Sequence, residues 1–365
     1  MAVVMKLTVC LVLLPLCALA QVATDAQGRP VVSLSNEKIE LTVLTKGGTI
    51  STVRLLEGAE KMSPLAGMGH FLCLDGFGAP SAEELKAGMP FHGEASKQLW
   101  KTVDSQSAGS RRSVTLATSL PLVQENLTRR FEIVDGESVV YVESQLESPL
   151  GFDRPVSWAE HATLGPPFLE KGKVAVDMPG LQCRVRAEKP GPIPGRLIYL
   201  RDFTWPMAPT RDGGQLDLRL IPTDQNSLDL ASCQMDPKRS LAFVTALQLD
   251  KRLLFGYVFR REEYPWVMSW MNYTGNQRAA RGMEFSTQPF DVSHRETVEM
   301  NPMFGTPTFR WLPAKSTIRS RFLVFYTVAP EGMTRVDDIT LSGGRLIIED
   351  RKAGKRIELA ASLPL

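Results

Sequence analysis

Histidine is scarce in this chain, four residues in 365, and two of the four stand in settings suited to proton transfer. His161 lies in Trp158-Ala159-Glu160-His161-Ala162-Thr163-Leu164-Gly165-Pro166-Pro167, where an apolar run ends in a glycine and two prolines. Proline fixes its own φ and drives the residue before it towards extended geometry, so the backbone is pinned just after the imidazole. His92 sits in Met89-Pro90-Phe91-His92-Gly93-Glu94, again between proline and glycine and next to a carboxylate. An imidazole, with an ordinary pKa of roughly 6.5, gives or takes a proton near neutrality. A carboxylate becomes a useful partner when burial raises its own pKa. Loop histidines also serve as hydrogen-bonded structural groups, and the spacing leaves both readings open.

The elements that must position these groups read as strands. Ile39–Leu44 and Thr49–Leu55 alternate apolar and polar residues around Gly47-Gly48. Residues 127–134 and 138–146 flank Asp135-Gly136, a strong hairpin signal. Further strands are expected over 173–177, 241–249, 253–260, 266–273, 283–287 and 317–328. A closing pair is expected over 345–349 and 356–359. Residues 56–100 read as a long irregular stretch, with a capping box at Ser81-Ala82-Glu83-Glu84 opening one short helical turn. Many short strands with little helical periodicity predict an all-β sandwich of large antiparallel sheets. No repeat or low-complexity linker divides the chain. One domain is therefore expected over residues 21–365, with a split near 200–220, at Asp212-Gly213-Gly214, as the weaker option.

Composition excludes some classes. The formal charge is +2 and no basic stripe is present, so nucleic acid is not an expected partner. Met1–Lys6 followed by the apolar run Leu7–Leu19 and Ala18-Leu19-Ala20 reads as a secretory signal peptide, too short to span a bilayer. A secreted or periplasmic protein, free of the membrane after residue 20, is the expectation. Three cysteines would then remain, Cys73, Cys183 and Cys233, enough for one bridge whose pairing the sequence leaves open. Asn126-Leu127-Thr128 and Asn272-Tyr273-Thr274 match the glycosylation pattern.

Taken together, several segments resemble the aldose 1-epimerase (galactose mutarotase-like) family. Phe91-His92-Gly93-Glu94-Ala95, with Trp100 following, is similar to that family's first histidine segment. His161-Ala162-Thr163-Leu164-Gly165 is similar to its second. Gly47-Gly48-Thr49-Ile50 resembles its early glycine turn, and Trp311-Leu312-Pro313-Ala314-Lys315-Ser316 its late turn. The resemblance implies a β-supersandwich holding a monosaccharide or glycan on a concave sheet face. It also implies an acid–base reaction that interconverts sugar anomers without metal or cofactor. On this reading His161 is the general acid and His92 hydrogen-bonds the sugar.

The expected base is displaced. In Gly282-Met283-Glu284-Phe285-Ser286-Thr287-Gln288 a serine takes the family glutamate's place and Glu284 stands two residues earlier. Positions two apart share a strand face, roughly 6.5–7 Å apart, so Glu284 is the leading base. Glu94 and Glu160 are the runners-up; Glu160 should face the opposite side from its neighbour His161. The family's sugar-contacting arginine is missing before the first histidine, which disfavours a sugar phosphate. Candidate substrate contacts are His70 and Asp75 in that region, Gln288, Trp266 and Trp270 on one strand face, and Trp205 on a proline-rich loop. His294 reads as part of a polar loop. No Gly-x-Ser-x-Gly elbow, His-Glu-x-x-His helix, phosphate loop or Cys-x-x-Cys pair is present. Two alternatives to an epimerase stay in view: a carbohydrate-binding protein without turnover, and a lyase or isomerase acting on a larger glycan.

Overall fold

Alternating strands need two sheets to bury their apolar faces against each other, and the chain builds them. The computed structural model describes residues 23–58, 61–189, 191–223, 226–274 and 279–365; the expected signal peptide, residues 1–20, lies outside the described residues. Among the described residues, twelve strands form a first sheet. It runs from the Ala23–Thr24 edge through Pro30–Ser35, Ile39–Leu44, Thr49–Leu55 and Leu65–Leu74 to Trp158–Leu164. Beyond lie Ala280–Gly282 with Glu284–Ser286, then Trp266–Asn272, Leu228–Met235, Gly180–Val185 and Asp202–Thr204. A second sheet of eight strands has Val174–Asp177 at one edge and Lys101–Ala108 at the other. Its centre holds Leu253–Arg260, Thr317–Val328 and Val139–Glu147, paired antiparallel.

The main core lies between the two sheets. Ile39, Leu41 and Val43 point inward while Glu40, Thr42 and Leu44 point out. Phe131, Tyr257, Phe322 and Tyr326 answer them from the second sheet. A third, smaller sheet of Asp338–Ser342, Arg345–Asp350 and Lys355–Ala360 covers the second sheet's other face through Phe243, Leu323, Leu346 and Ile348. No helix among the described residues is long and apolar enough to cross a membrane.

The expected strands form, most within one residue of their predicted ends. The capping box at Ser81 and Glu84 caps the helix Ala82–Lys86. The stretch 56–100 is the main correction, because it contains Leu65–Leu74, the strand directly beside the one bearing His161. Asp212-Gly213-Gly214 lies in the turn of the small hairpin Met207–Pro209 and Gln215–Asp217. His294 is not in a loop; it begins the helix His294–Glu299, and its Nδ1 pairs with Ser157 Oγ at 2.8 Å.

Cys183 and Cys233 sit directly opposite in adjacent strands and are bridged, while Cys73 is free and buried. The bridge closes a sequence separation of 50 residues. Replacing both cysteines by alanine should cost about 2–4 kcal/mol, chiefly by freeing the unfolded chain. The check is the urea midpoint of the double variant against the oxidised wild type.

Candidate active site

His161, Glu284 and His92 meet on the outer face of the first sheet. Strand Trp158–Leu164 alternates strictly, so Ala159, His161 and Thr163 face outward while Trp158 and Ala162 enter the core. It pairs with Leu65–Leu74 on one side, His161 opposite Phe71, and with Glu284–Ser286 on the other. His161 Nε2 lies 3.3 Å from Glu284 Oε1, and its Nδ1 lies 3.1 Å from Thr163 Oγ1. The family-like position, Ser286, instead donates its hydroxyl to the Gln288 carbonyl.

His92 arrives from a loop folded hard against the sheet. Its φ is +67° and that of Gly93 is +73°. A Cβ on Gly93 would stand 2.1 Å from the Leu74 carbonyl oxygen, so only glycine lets the loop approach this closely. The Gly78 amide donates to His92 Nδ1 at 3.1 Å, which leaves the proton of the neutral ring on Nε2. The two imidazole rings are 5.0 Å apart, centre to centre, and nearly perpendicular.

Burial sets the charges. It pulls His161 well below the ordinary histidine range, helped by the nearby His92. His92 is held at about 4 by burial and then by the positive fields of Lys97 and Lys189. Glu284 is pushed well above the carboxylate range, by burial first and by Asp291 second, against the pull of Arg186 and Arg281. Burial thus favours the uncharged form of each group, a neutral imidazole and a protonated carboxyl. Glu284 Oε2 is buried without a hydrogen-bond partner.

The face around this cluster is more closed than the sequence suggests. Phe71 stacks on the His161 ring at 4.4 Å and Phe77 packs edge-on at 5.5 Å. Cys73, Phe77, Leu230, Trp266, Met268, Phe290 and Met303 form an apolar cluster over it. His161 is 5% exposed and Glu284 1%. Of this cluster, Phe77, Phe290 and Met303 come from outside the sheet's strands.

The other predicted residues divide. Trp270, half-buried with its ring 6.4 Å from His161, stays at the cluster. Trp266 shares its face, as predicted, yet is fully buried, and its indole N–H donates to the Pro307 carbonyl. Trp205 is not at a sugar-facing rim; it packs against the main core beside Cys233. His70 points into the core and pairs with Glu160 at 2.8 Å, because it stands one residue out of phase with Phe71. Asp75 is buried, accepting from the Ser157 amide and from Arg154. Gln288 donates to the Phe290 carbonyl within a turn. Glu94 accepts from the Leu122 amide and Gln98 and so clamps its own loop. Glu160 faces the core, as expected.

Some neighbours of the cluster escape a reading of the sequence. Thr163 was findable, since it shares a face with His161 by strand period. Phe71 and Phe77 lie in the stretch read as loop. Asp291 binds Arg186 at 2.8 Å and Lys189 at 2.7 Å, contacts across more than a hundred residues that leave no local signal.

No family model matches this chain, and no curated protein matches it in sequence. Solved structures do match. A galactose mutarotase related enzyme from Lactobacillus acidophilus is 11% identical, with a TM-score of 0.58 over 84% of this chain and 100% of that one. A galactose mutarotase-like protein from Clostridium acetobutylicum is 10% identical, with a TM-score of 0.59 over 83% of this chain and 96% of that one. The fold is galactose mutarotase-like. A third similar structure, a galactose mutarotase-like protein from Lactobacillus casei, is 11% identical at a TM-score of 0.54, over 81% of this chain and 100% of that one. At such identities the likeness concerns the fold, and the site must be argued from its own residues.

Proposed function

We propose that this protein opens and recloses the hemiacetal ring of an aldose by proton transfer at His161 and Glu284. The observation that carries the reading is their convergence with His92 on one sheet face, with His161 and Glu284 within 3.3 Å. Ring opening removes the proton of the anomeric hydroxyl, forms the C1 carbonyl, breaks the bond from C1 to the ring oxygen and delivers a proton to that oxygen. A neutral imidazole accepts the first proton and a protonated carboxyl supplies the second, the distribution that burial favours here. Reclosure on the other face of C1 runs the same transfers backwards, so each group serves as acid in one direction and base in the other. This exchange replaces the fixed roles implied by the family resemblance. His92, with its proton on Nε2, donates to a sugar oxygen. Secretion, which would place the reaction outside the cytoplasm, belongs to the same proposal.

A second reading, sugar binding without turnover, is favoured by the near-complete burial of His161 and Glu284 under the apolar cluster. Polarimetry on freshly dissolved glucose and galactose separates the two. Rotation that relaxes faster than in buffer, in proportion to protein, supports catalysis. Saturable binding by calorimetry with no acceleration supports the binding protein. Neither acceleration nor binding for any common aldose overturns both.

A further inference from the structure

On the sheet that carries His161, a groove of about 620 Å³ lies over the N-terminal strands. Its floor includes Ser33, Thr42 and Ser51 on three adjacent strands, with Gly69 on the next, while the Thr52 hydroxyl is buried. One wall is the turn Asp25–Arg29, stiffened by Asp25, whose carboxylate accepts from the Gln27 and Arg29 amides and from the Arg29 guanidinium. The charged side chains lining the groove pair off, Arg29 with Asp25 and Arg54 with Glu40, so it has no net charge. Met68, 42% exposed, offers an apolar surface beside the hydroxyls. Hydroxyl groups, one apolar platform and balanced charge suit an uncharged polyhydroxylated chain; a polyanion would need a surplus of cations.

We propose that this groove binds further sugar units of a neutral oligosaccharide whose reducing end lies at His161. The proposal rests on the reading of the His161 cluster as a hemiacetal site. Only a reducing end carries the free anomeric hydroxyl that the chemistry needs, so the remaining units must extend away from it. The strand Thr49–Leu55 lies two strands from Trp158–Leu164, a lateral distance of about 10 Å, which linked pyranose rings bridge and a single ring does not. The Ile50–His70 and Phe71–His161 pairings put both places at one level along the strands.

The test is calorimetric affinity along two length series, glucose, maltose and maltotriose, and glucose, cellobiose and cellotriose, alongside polarimetry on the same sugars. One or two added hydrogen bonds, at about 0.5–1.5 kcal/mol each, predict about tenfold tighter binding of a trisaccharide than of glucose. In Ser33→Trp, which places a large ring at an exposed groove position, that ratio should fall towards one. Length-dependent affinity without accelerated mutarotation upholds the groove and removes the catalytic reading. Acceleration with equal affinity at every length in both series overturns the groove and leaves the catalytic reading standing. Length-dependent affinity that Ser33→Trp leaves intact, in a variant melting like wild type, also overturns this placement.

Discussion

Glu160→Gln should destabilise the protein by about 3–5 kcal/mol, the usual consequence of removing one partner from a buried ion pair. Glu160 lies between the sheets with no exposure. One carboxylate oxygen accepts from Arg129 Nη2 at 2.6 Å, Trp158 Nε1 at 3.1 Å and Tyr264 Oη at 3.1 Å; the other pairs with His70 Nε2 at 2.8 Å. Arg129 comes from the second sheet and is equally buried, with Ser144 as its remaining partner. The amide of glutamine keeps the volume but withdraws the charge, so Arg129 is left as an uncompensated cation in the core. Folded domains are typically stable by about 5–15 kcal/mol, so such a loss is a large share of the total. A lower urea midpoint at unchanged slope would show it. Pairing Glu160→Leu with Arg129→Met should recover much of the loss, because the two desolvation costs then vanish together. If Glu160→Gln unfolds like wild type, the pair does not hold the sheets together.

The same carboxylate shapes the acid limb of stability. Burial raises its pKa, but the Arg129 charge and the His70 hydrogen bond outweigh that and hold it at about 2. His70 is itself lowered by burial and donates as a neutral ring. A depressed carboxylate contributes stability above its unfolded value near 4.5, and that stability is lost as pH falls towards 2. The size is about 3 kcal/mol. His92, lowered to about 4, works in the same direction but earlier, its contribution fading as pH falls from about 6.5 to 4. Melting temperature against pH should fall in two stages in wild type, and Glu160→Gln should lose the lower one.

How much of this was readable follows from what each segment's pattern records. Ile39–Leu44 alternates cleanly, and its ends are where the residues say. Leu65–Leu74 does not read as a strand because Gly67 and Gly69 take positive φ and the pairing with Trp158–Leu164 slips between Ala162 and Leu164. Leu228–Met235 is buried on both faces along most of its length, which removes the alternation that marks a strand. At the site, period two correctly put Glu284 and Ser286 on one strand face. It also put Trp266 and Trp270 on one face, but it carries no information about what covers a face. Phe304 and the Pro307 carbonyl close over Trp266 and leave Trp270 half-open. The bridge between Cys183 and Cys233 and the contact of Asp291 with Arg186 are likewise products of sheet order, which local pattern does not encode.

Glu284→Gln should lower the mutarotation rate by about 10²–10⁴-fold, the range for removing one positioned proton carrier, while making the protein more stable above neutral pH. The two effects share a cause. A carboxyl whose folded pKa is raised contributes stability below its unfolded value near 4.5 and loses it as pH climbs. At pH 7–8 the site pays for holding Glu284 in a closed, apolar setting with one oxygen unpartnered. Glutamine keeps the shape but has no proton to exchange with the ring oxygen and no charge to bury. The stability gained over wild type should therefore widen from pH 5 to pH 8. His161→Ala should reduce the rate to a similar degree without that pH-dependent gain. The double variant should be little slower than either single one, since the groups act as a unit. Glu94→Gln, altering a carboxylate that clamps a loop and does not reach the pair, should leave the rate near wild type. A Glu284→Gln protein that relaxes glucose as fast as wild type would remove the His161–Glu284 pair from the chemistry. A stability difference that stays level between pH 5 and pH 8 would show that the carboxyl is already ionised in the folded protein across that range.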